Sequence, residues 1–387
     1  MSGTVTHLTE EQRNIQRLAR DFARQEVAPH SVAWDRDAHF EPSLIPKLGD
    51  LGFLGMMIPE EYDGLGLDTL TYLVALEEIA IVDASVALMI SVHNSLPTQM
   101  ILRSGSVAQK EAYLKPMARG EKLGAFALTE PESGSDAASL SCQAVRDGDG
   151  WVLNGTKSWV TSGTHAGVVV VMARTDSPSD RRHSRGITAF IVTPDMPGFK
   201  IGKKEDKMGL RASATVSLVF DNLRVPASNV LGKEGMGFVY AMQSLDSGRL
   251  GISAQAIGVS ESALRHSVAY AAERKQFGKP IKDFQAMQFK LADMAVRIAA
   301  SRTLLHAAAT AKDRGEHMTK LSAMSKLMSS ETAMWVTTQA IQIFGGYGYV
   351  TDYPVERLFR DAKATEIYEG TSEIQRVVIA RELYSKD

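Results

Sequence analysis

Apolar positions along residues 9–119 recur at helical spacing. Ile15, Leu18, Ala19 and Phe22 share one stripe, and Thr9 followed by Glu10, Glu11 and Gln12 reads as a capped helix start. Pro42, Pro46 and the glycines of residues 52–66 interrupt with turns. Residues 70–102 then carry long apolar runs, through Leu73, Leu76, Ile79 and Ala80, which predicts a buried helix pair. The character changes near Gly124. From there to about Gly232, short β-rich runs alternate with turn residues. The DGDG of residues 147–150 and Asn154-Gly155 are turn signals beside Trp151. Residues 168–172, 187–192 and 216–220 read as strands, the first buried on both faces. After Gly237 the helical period returns. Leu291, Met294, Ala295 and Ile298 lie on one stripe that Leu304 and Leu305 continue, and Met324, Leu327 and Met328 start another run. The expectation is a mostly α fold with a β insert: an N-terminal helical domain over residues 1–123, a middle antiparallel β domain over 124–233 and a C-terminal helical bundle over 234–387.

Composition narrows the class. A chain of 387 residues, 44% hydrophobic, is enough for two or three packed units. A net charge of −2 and a pI near 6.5 leave no basic field for nucleic acid. Cys142 is the single cysteine, so there is neither an internal disulfide framework nor a cysteine-rich metal site. No stretch is long and apolar enough to cross a bilayer. The first ten residues have neither a basic region followed by an apolar run nor an arginine-rich amphipathic pattern. The expected location is cytoplasmic, or the mitochondrial matrix for a matured eukaryotic form, with no membrane partner.

Four segments carry candidate chemistry, and each has a plain structural alternative. In EIYEGTSEIQ (366–375), Glu369 sits between Tyr368 and Gly370; a desolvated cleft would raise its pKa and make it a base toward a carbon acid. Alone it reads more readily as a helix-terminal glutamate. ALTEPESGSD (127–136) offers the hydroxyls of Thr129 and Ser135 to a heterocycle or phosphate, or is a capped loop. KSWVTSG (157–163) places Trp159 to cover a flat ring with Thr161 at its edge, or Trp159 is a core residue of a sheet. The paired glycines of QIFGGYGY (342–349) permit close approach to a diphosphate, or form a helix C-cap and turn. Arg274 is a phosphate partner or a solvated helix end, and Asp246 with Arg249 frames a pocket or forms an ion pair. The nine histidines make no HxxxH or HExxH pattern, His93 and His165 read as packed or exposed residues, and there is no GxSxG elbow.

Taken together, these segments resemble the acyl-CoA dehydrogenase family over nearly the whole chain. Residues 127–139 fit that family's first signature and residues 342–361 its second, including the spacing to Arg357 and Asp361, with YEGT at 368–371. The resemblance implies a C-terminal four-helix bundle, FAD held between the β domain and the bundle, and a homotetramer. It implies flavin contacts from Phe126, Leu128, Thr129, Ser135, Trp159 and Thr161. Arg274, Phe277, Gln285, Gln342, Gly345 and Gly346 would reach the FAD of a neighbouring subunit, and Thr371 and Glu373 the adenosine diphosphate part. Ser135, Asp246, Arg249, Tyr368 and Gly370 would line the acyl-CoA path.

The implied reaction is α,β-dehydrogenation of a short-chain acyl-CoA, straight or branched, with Glu369 as base, hydride transfer to flavin N5, and electrons passed to electron-transfer flavoprotein. Some members carry the base on an earlier helix; the corresponding position here is Gly248, which leaves Glu369 and points to the short-chain and short-branched-chain members. Three other readings are open to test. An oxidase on the same scaffold would release peroxide at the turnover rate. A non-catalytic scaffold protein would not take up FAD. A nucleic-acid-associated relative would bind DNA with salt dependence.

Overall fold

The computed structural model describes residues 8–176 and 184–384. Residues 1–7, read above for a leader pattern, lie outside the described residues. Thr9 caps α1 (Glu10–Phe22): Gln12 N donates to Thr9 Oγ1 at 3.2 Å and Thr9 N donates to Gln12 Oε1 at 3.0 Å. Ala19 and Phe22 are buried and Leu18 is exposed, so the core-facing stripe is narrower than the spacing suggests. After α2 (Ser31–Asp37), α3 (Leu44–Asp50) and the expected turns come three helices where a pair was predicted. They are α4 (Thr69–Val82), α5 (Ala84–Ser95) and α6 (Pro97–Ser104). Asp83 leaves the helical region and accepts from Ser85 N and Val86 N, capping α5; Pro97 brings no N–H to extend it. The turns α7 (Val107–Gln109) and α8 (Lys115–Ala118) end this part.

The strands β1 (Leu123–Ala127), β2 (Gln143–Asp147), β3 (Gly150–Thr161), β4 (Ala166–Arg174), β5 (Ile187–Val192), β6 (Phe199–Lys204), β7 (Thr215–Pro226) and β8 (Val230–Leu231) share one sheet. Their order is β6-β7-β3-β2-β4-β5-β8, with β1 beside β4. The sheet is mixed, which corrects the antiparallel expectation. β1 runs parallel to β4 and β2 meets β4 in one parallel pair, because the β2–β3 hairpin lies between them in the chain and serves as a crossover. The 147–150 turn closes that hairpin, Asp147 opposite Gly150. Asn154-Gly155 does not turn. It lies inside β3, where the register against β7 shifts between Leu153 and Gly155 and makes a bulge.

Three long helices follow: α9 (Gly237–Glu273), α10 (Gln285–Asp313) and α11 (Thr319–Phe344). α12 (Val355–Thr365) packs on α9 and α11, and α13 (Ser372–Tyr384) on α11. The fourth side of the bundle is therefore split, and the split carries Glu369. On α10, Met294, Ile298 and Leu305 are buried while Ala295 is exposed. On α11 the expected apolar run misses the buried face. Met324 is exposed, whereas Ser322, Ala323, Ser325, Lys326, Ser329 and Ser330 are buried. Small side chains on that face let α11 approach α9 closely, and serines score as polar in any periodicity count. No helix of the described residues is long and apolar enough to cross a membrane.

Candidate active site

The break between α12 and α13 sets Tyr368, Glu369 and Gly370 against α9. Glu369 has φ 53° and Gly370 φ 91°, two consecutive residues in the left-handed region. A glutamate holds that conformation only where its surroundings enforce it. Here they do. The Tyr368 hydroxyl donates to Gln255 Oε1, and Gln255 Nε2 donates to Ala84 O at 2.6 Å. Gln375 Nε2 donates to Glu369 O at 3.2 Å and Gly370 O at 2.8 Å, and Lys326 Nζ donates to Gly370 O at 2.8 Å. Both carbonyls are tied, while the amides of Glu369 and Gly370 have no acceptor among the described residues.

The Glu369 residue is half-buried, but its two carboxylate oxygens are shut off from solvent and have no hydrogen-bond partner among the described residues. Burial pushes the carboxyl pKa up to about 7; the charges of Lys326 and Arg249 oppose the rise. Gly248 makes room for the group. A Cβ there would overlap Oε2 of Glu369 and lie 2.9 Å from its Cδ. One turn further along α9, a Cβ at Gly251 would overlap Ser91 Oγ and lie 3.0 Å from the Tyr72 hydroxyl. Both of those hydroxyls are buried side by side, with no other partner among the described residues. Arg249 pairs with Asp246, whose other oxygen accepts from Thr319 Oγ1 at 2.8 Å, so the ion-pair alternative for these two is realised. The Arg249 Nε remains unpartnered close by.

A second group forms where β1 meets β3. Phe126 and Leu128 lie at the end of β1, and Ser158 N donates to Thr129 O at 2.8 Å, joining the two sequence segments. Beneath them Lys157 is fully buried, donating to Leu128 O at 2.9 Å and to Glu130 Oε1 at 2.7 Å. Trp159 is not a core residue. It is 60% exposed at φ 60°; Thr161, two residues on, is half-buried, and Ser135, 24 positions earlier, is exposed. An aromatic face held out of a sheet suits a flat heterocycle.

A third group is remote. Arg274 follows α9 directly, and its guanidinium lies over the Tyr347 ring at 5.4 Å. Phe277 is 93% exposed, and Gln285, Gln342, Gly345 and Gly346 are exposed with it. Gly345 N donates to Gln342 O and caps α11, so the C-cap alternative is also realised. Arg274 stands about 39 Å along α9 from Gly248, at 1.5 Å per residue. A single chain therefore does not gather this group with Glu369. Thr371 accepts from Ile374 N at 3.3 Å at the start of α13, and Glu373 is exposed.

Other candidates have structural positions. Arg357 donates to Ser31 Oγ at 2.6 Å, and Asp361 accepts from Leu210 N at 2.6 Å, so both tie domains together. His93 is buried, bridging Leu54 O and the Gly124 amide, and His165 packs on Phe40. Among the described residues no group of three or more His, Cys, Asp or Glu could hold a metal. Periodicity and motif reading missed Lys326, Gln255, Tyr72 and Ser91, and gave no role to Gln375 at the end of the 366–375 segment. The one usable signal was a lysine inside the small-residue run SAMSKLMSS (322–330).

Comparison with known proteins covers all three parts of the chain. The acyl-CoA dehydrogenase N-terminal domain matches residues 9–121, the middle domain 125–223 and the C-terminal domain 235–384. The chain belongs to the acyl-CoA dehydrogenase family, a family of FAD-dependent oxidoreductases. Within that family its similarity runs to short-chain members. It is 49% identical to the mitochondrial short-chain specific acyl-CoA dehydrogenase of Mus musculus, over 97% of this chain and 90% of the relative. The butyryl-CoA dehydrogenase from Megasphaera elsdenii superposes with a TM-score of 0.96 at 45% identity, over 98% of this chain and 100% of that one. A chain solved in work on the electron transferring flavoprotein of Acidaminococcus fermentans gives the same TM-score at 46% identity, over 98% of this chain and 99% of that one.

Proposed function

We propose that this protein dehydrogenates a short-chain acyl-CoA, straight or branched, to the 2-enoyl-CoA, with Glu369 as the base. The observation that carries the reading is the Glu369 carboxylate: shut off from solvent, unpartnered, and raised to about 7. A base is most effective when its pKa lies near the working pH, and this one is ionised at pH 8 yet still basic. A thioester α carbon is a weak acid, so the carbonyl needs polarising. The Glu369 amide, free of any acceptor among the described residues, supplies one donor beside the base. Loss of such a donor costs about 3 kcal/mol. The tied carbonyls of Glu369 and Gly370 keep that amide and the carboxylate aimed together.

Bound FAD supplies the hydride acceptor. Phe126, Leu128, Thr129, Ser135, Trp159 and Thr161 would hold its ring. Arg274, Phe277, Gln285, Gln342, Gly345 and Gly346 would hold the FAD of a neighbouring subunit, with Thr371 and Glu373 on the adenosine diphosphate part. The axial distance between Gly248 and Arg274 supports this division, and the exposed Phe277, Phe289, Val296 and Tyr349 support subunit contact in a homotetramer. Ser135, Asp246, Arg249, Tyr368 and Gly370 would line the acyl-CoA path.

The end of the acyl pocket is proposed to lie on α9. Tyr72 and Ser91 stand against Gly251, one turn from Gly248 and about 4.5 Å along the axis, and that closure supports a preference for short acyl chains. Electron-transfer flavoprotein is the proposed acceptor, and the cytoplasm or mitochondrial matrix the proposed location. Anaerobic mixing with a panel of acyl-CoA thioesters tests the reading: bleaching should be fastest with butyryl-CoA or isobutyryl-CoA. No bleaching by any thioester would refute it, and peroxide release matching aerobic turnover would make the protein an oxidase instead.

A further inference from the structure

We infer that Lys326 is a positioning residue for Glu369, acting at once as a tether on the left-handed turn and as the cation facing the base. This rests on the proposed role of Glu369. Lys326 is fully buried on α11, an uncommon place for an ammonium, and donates a hydrogen bond to Gly370 O. Gln375 donates to the same oxygen and to Glu369 O, so the turn is held by one charged and one neutral clamp. The ammonium does not pair with the carboxylate, whose oxygens stay free for a proton. It acts on that carboxylate through space. The charged groups around it are Glu369 and Glu366 at the break, Glu373 on α13 and Arg249 on α9, which Asp246 pairs. Burial lowers the Lys326 pKa to about 8, so it is cationic through the neutral range.

The two clamps make separable contributions. Removing the cation while keeping the bulk, in Lys326→Met, takes away attraction that favours ionised Glu369. The acid limb of the kcat/KM profile should then move to higher pH by about one unit, with kcat lower by about tenfold or more. Lys326→Arg keeps the charge and should leave the limb in place. Gln375→Met loosens the turn without changing charge, so kcat should fall with the limb unmoved. FAD content and oligomeric state are checked for each protein. The inference is overturned if Lys326→Met keeps the wild-type limb, or if Gln375→Met shifts it as far as Lys326→Met does. Should Lys326→Met not fold, Lys326→Arg and Gln375→Met still decide: a limb displaced in either one overturns the charge assignment, and unmoved limbs with lower kcat for Gln375→Met uphold it. Glu369→Gln run alongside separates the two claims. If that variant keeps wild-type activity the base assignment fails, whereas an inactive Glu369→Gln with an unshifted Lys326→Met fails only this inference.

Discussion

Replacing Gly248 with alanine adds one methyl group to α9 and should disable the site without unfolding the protein. The added Cβ would overlap Glu369 Oε2 and lie 2.9 Å from Cδ, against an ordinary carbon–carbon approach of about 3.5–4.0 Å. Leu96 Cδ2, at 3.1 Å from the same Cβ, crowds it further. The carboxyl group must therefore retreat by about 1 Å. A displacement of that size costs about 10²-fold in rate, or roughly 2.7 kcal/mol of transition-state stabilisation. Alanine also favours a helix over glycine by about 1 kcal/mol, which offsets part of the overpacking. The assay is stopped-flow flavin reduction by butyryl-CoA, paired with a thermal melt and an FAD-to-protein ratio. The expected outcome is bound FAD, a melting temperature within a few degrees of wild type and a rate about 100-fold lower. A rate within threefold of wild type would refute the claim that Gly248 sets the position of the base.

Glu369→Gln should be more stable than wild type above neutral pH. The folded-state pKa of about 7 lies above the ordinary 4.5, so the folded protein binds the proton more tightly and wild-type stability falls as pH rises from about 4.5 through 7. At pH 8 this amounts to on the order of 3 kcal/mol, absent at pH 4.5, and melts at the two pH values check it. Lys157→Met leaves Glu130 buried without its cation and should cost about 3–5 kcal/mol, with weaker FAD retention because the Leu128–Glu130 segment loses its support; a melt and FAD titration read both. Tyr72→Ala removes the closure against Gly251 and should raise the rate with octanoyl-CoA relative to butyryl-CoA, measured by the same flavin reduction. An unchanged ratio would place the end of the acyl pocket elsewhere.

Much of this architecture is legible from apolar runs, because α4 and β4 are buried almost continuously rather than on one face. The exceptions share a cause. α11 buries serines and a lysine, which periodicity scores as a solvent face, so its packing side is misassigned. Asn154-Gly155 carries the composition of a turn, yet it pairs with β7 on either side, and the extra residue of the bulge lies on β7, where Asp221 and Asn222 stand opposite Asn154 alone. β1 lies parallel to β4 because of chain crossover, which local pattern does not encode. Glu369 could be singled out by its neighbours and its motif, but not its isolation from solvent. That depends on Gly248, which is 121 positions away in the chain, and on Lys326 and Gln375 tying the turn.

Anaerobic addition of butyryl-CoA to Glu369→Gln, purified with FAD in its native oligomer, bears most directly on the proposed chemistry. With the α-proton acceptor gone, the flavin should stay oxidised on the timescale in which wild type bleaches completely. Bleaching of the variant at the wild-type rate would mean that another group takes the proton.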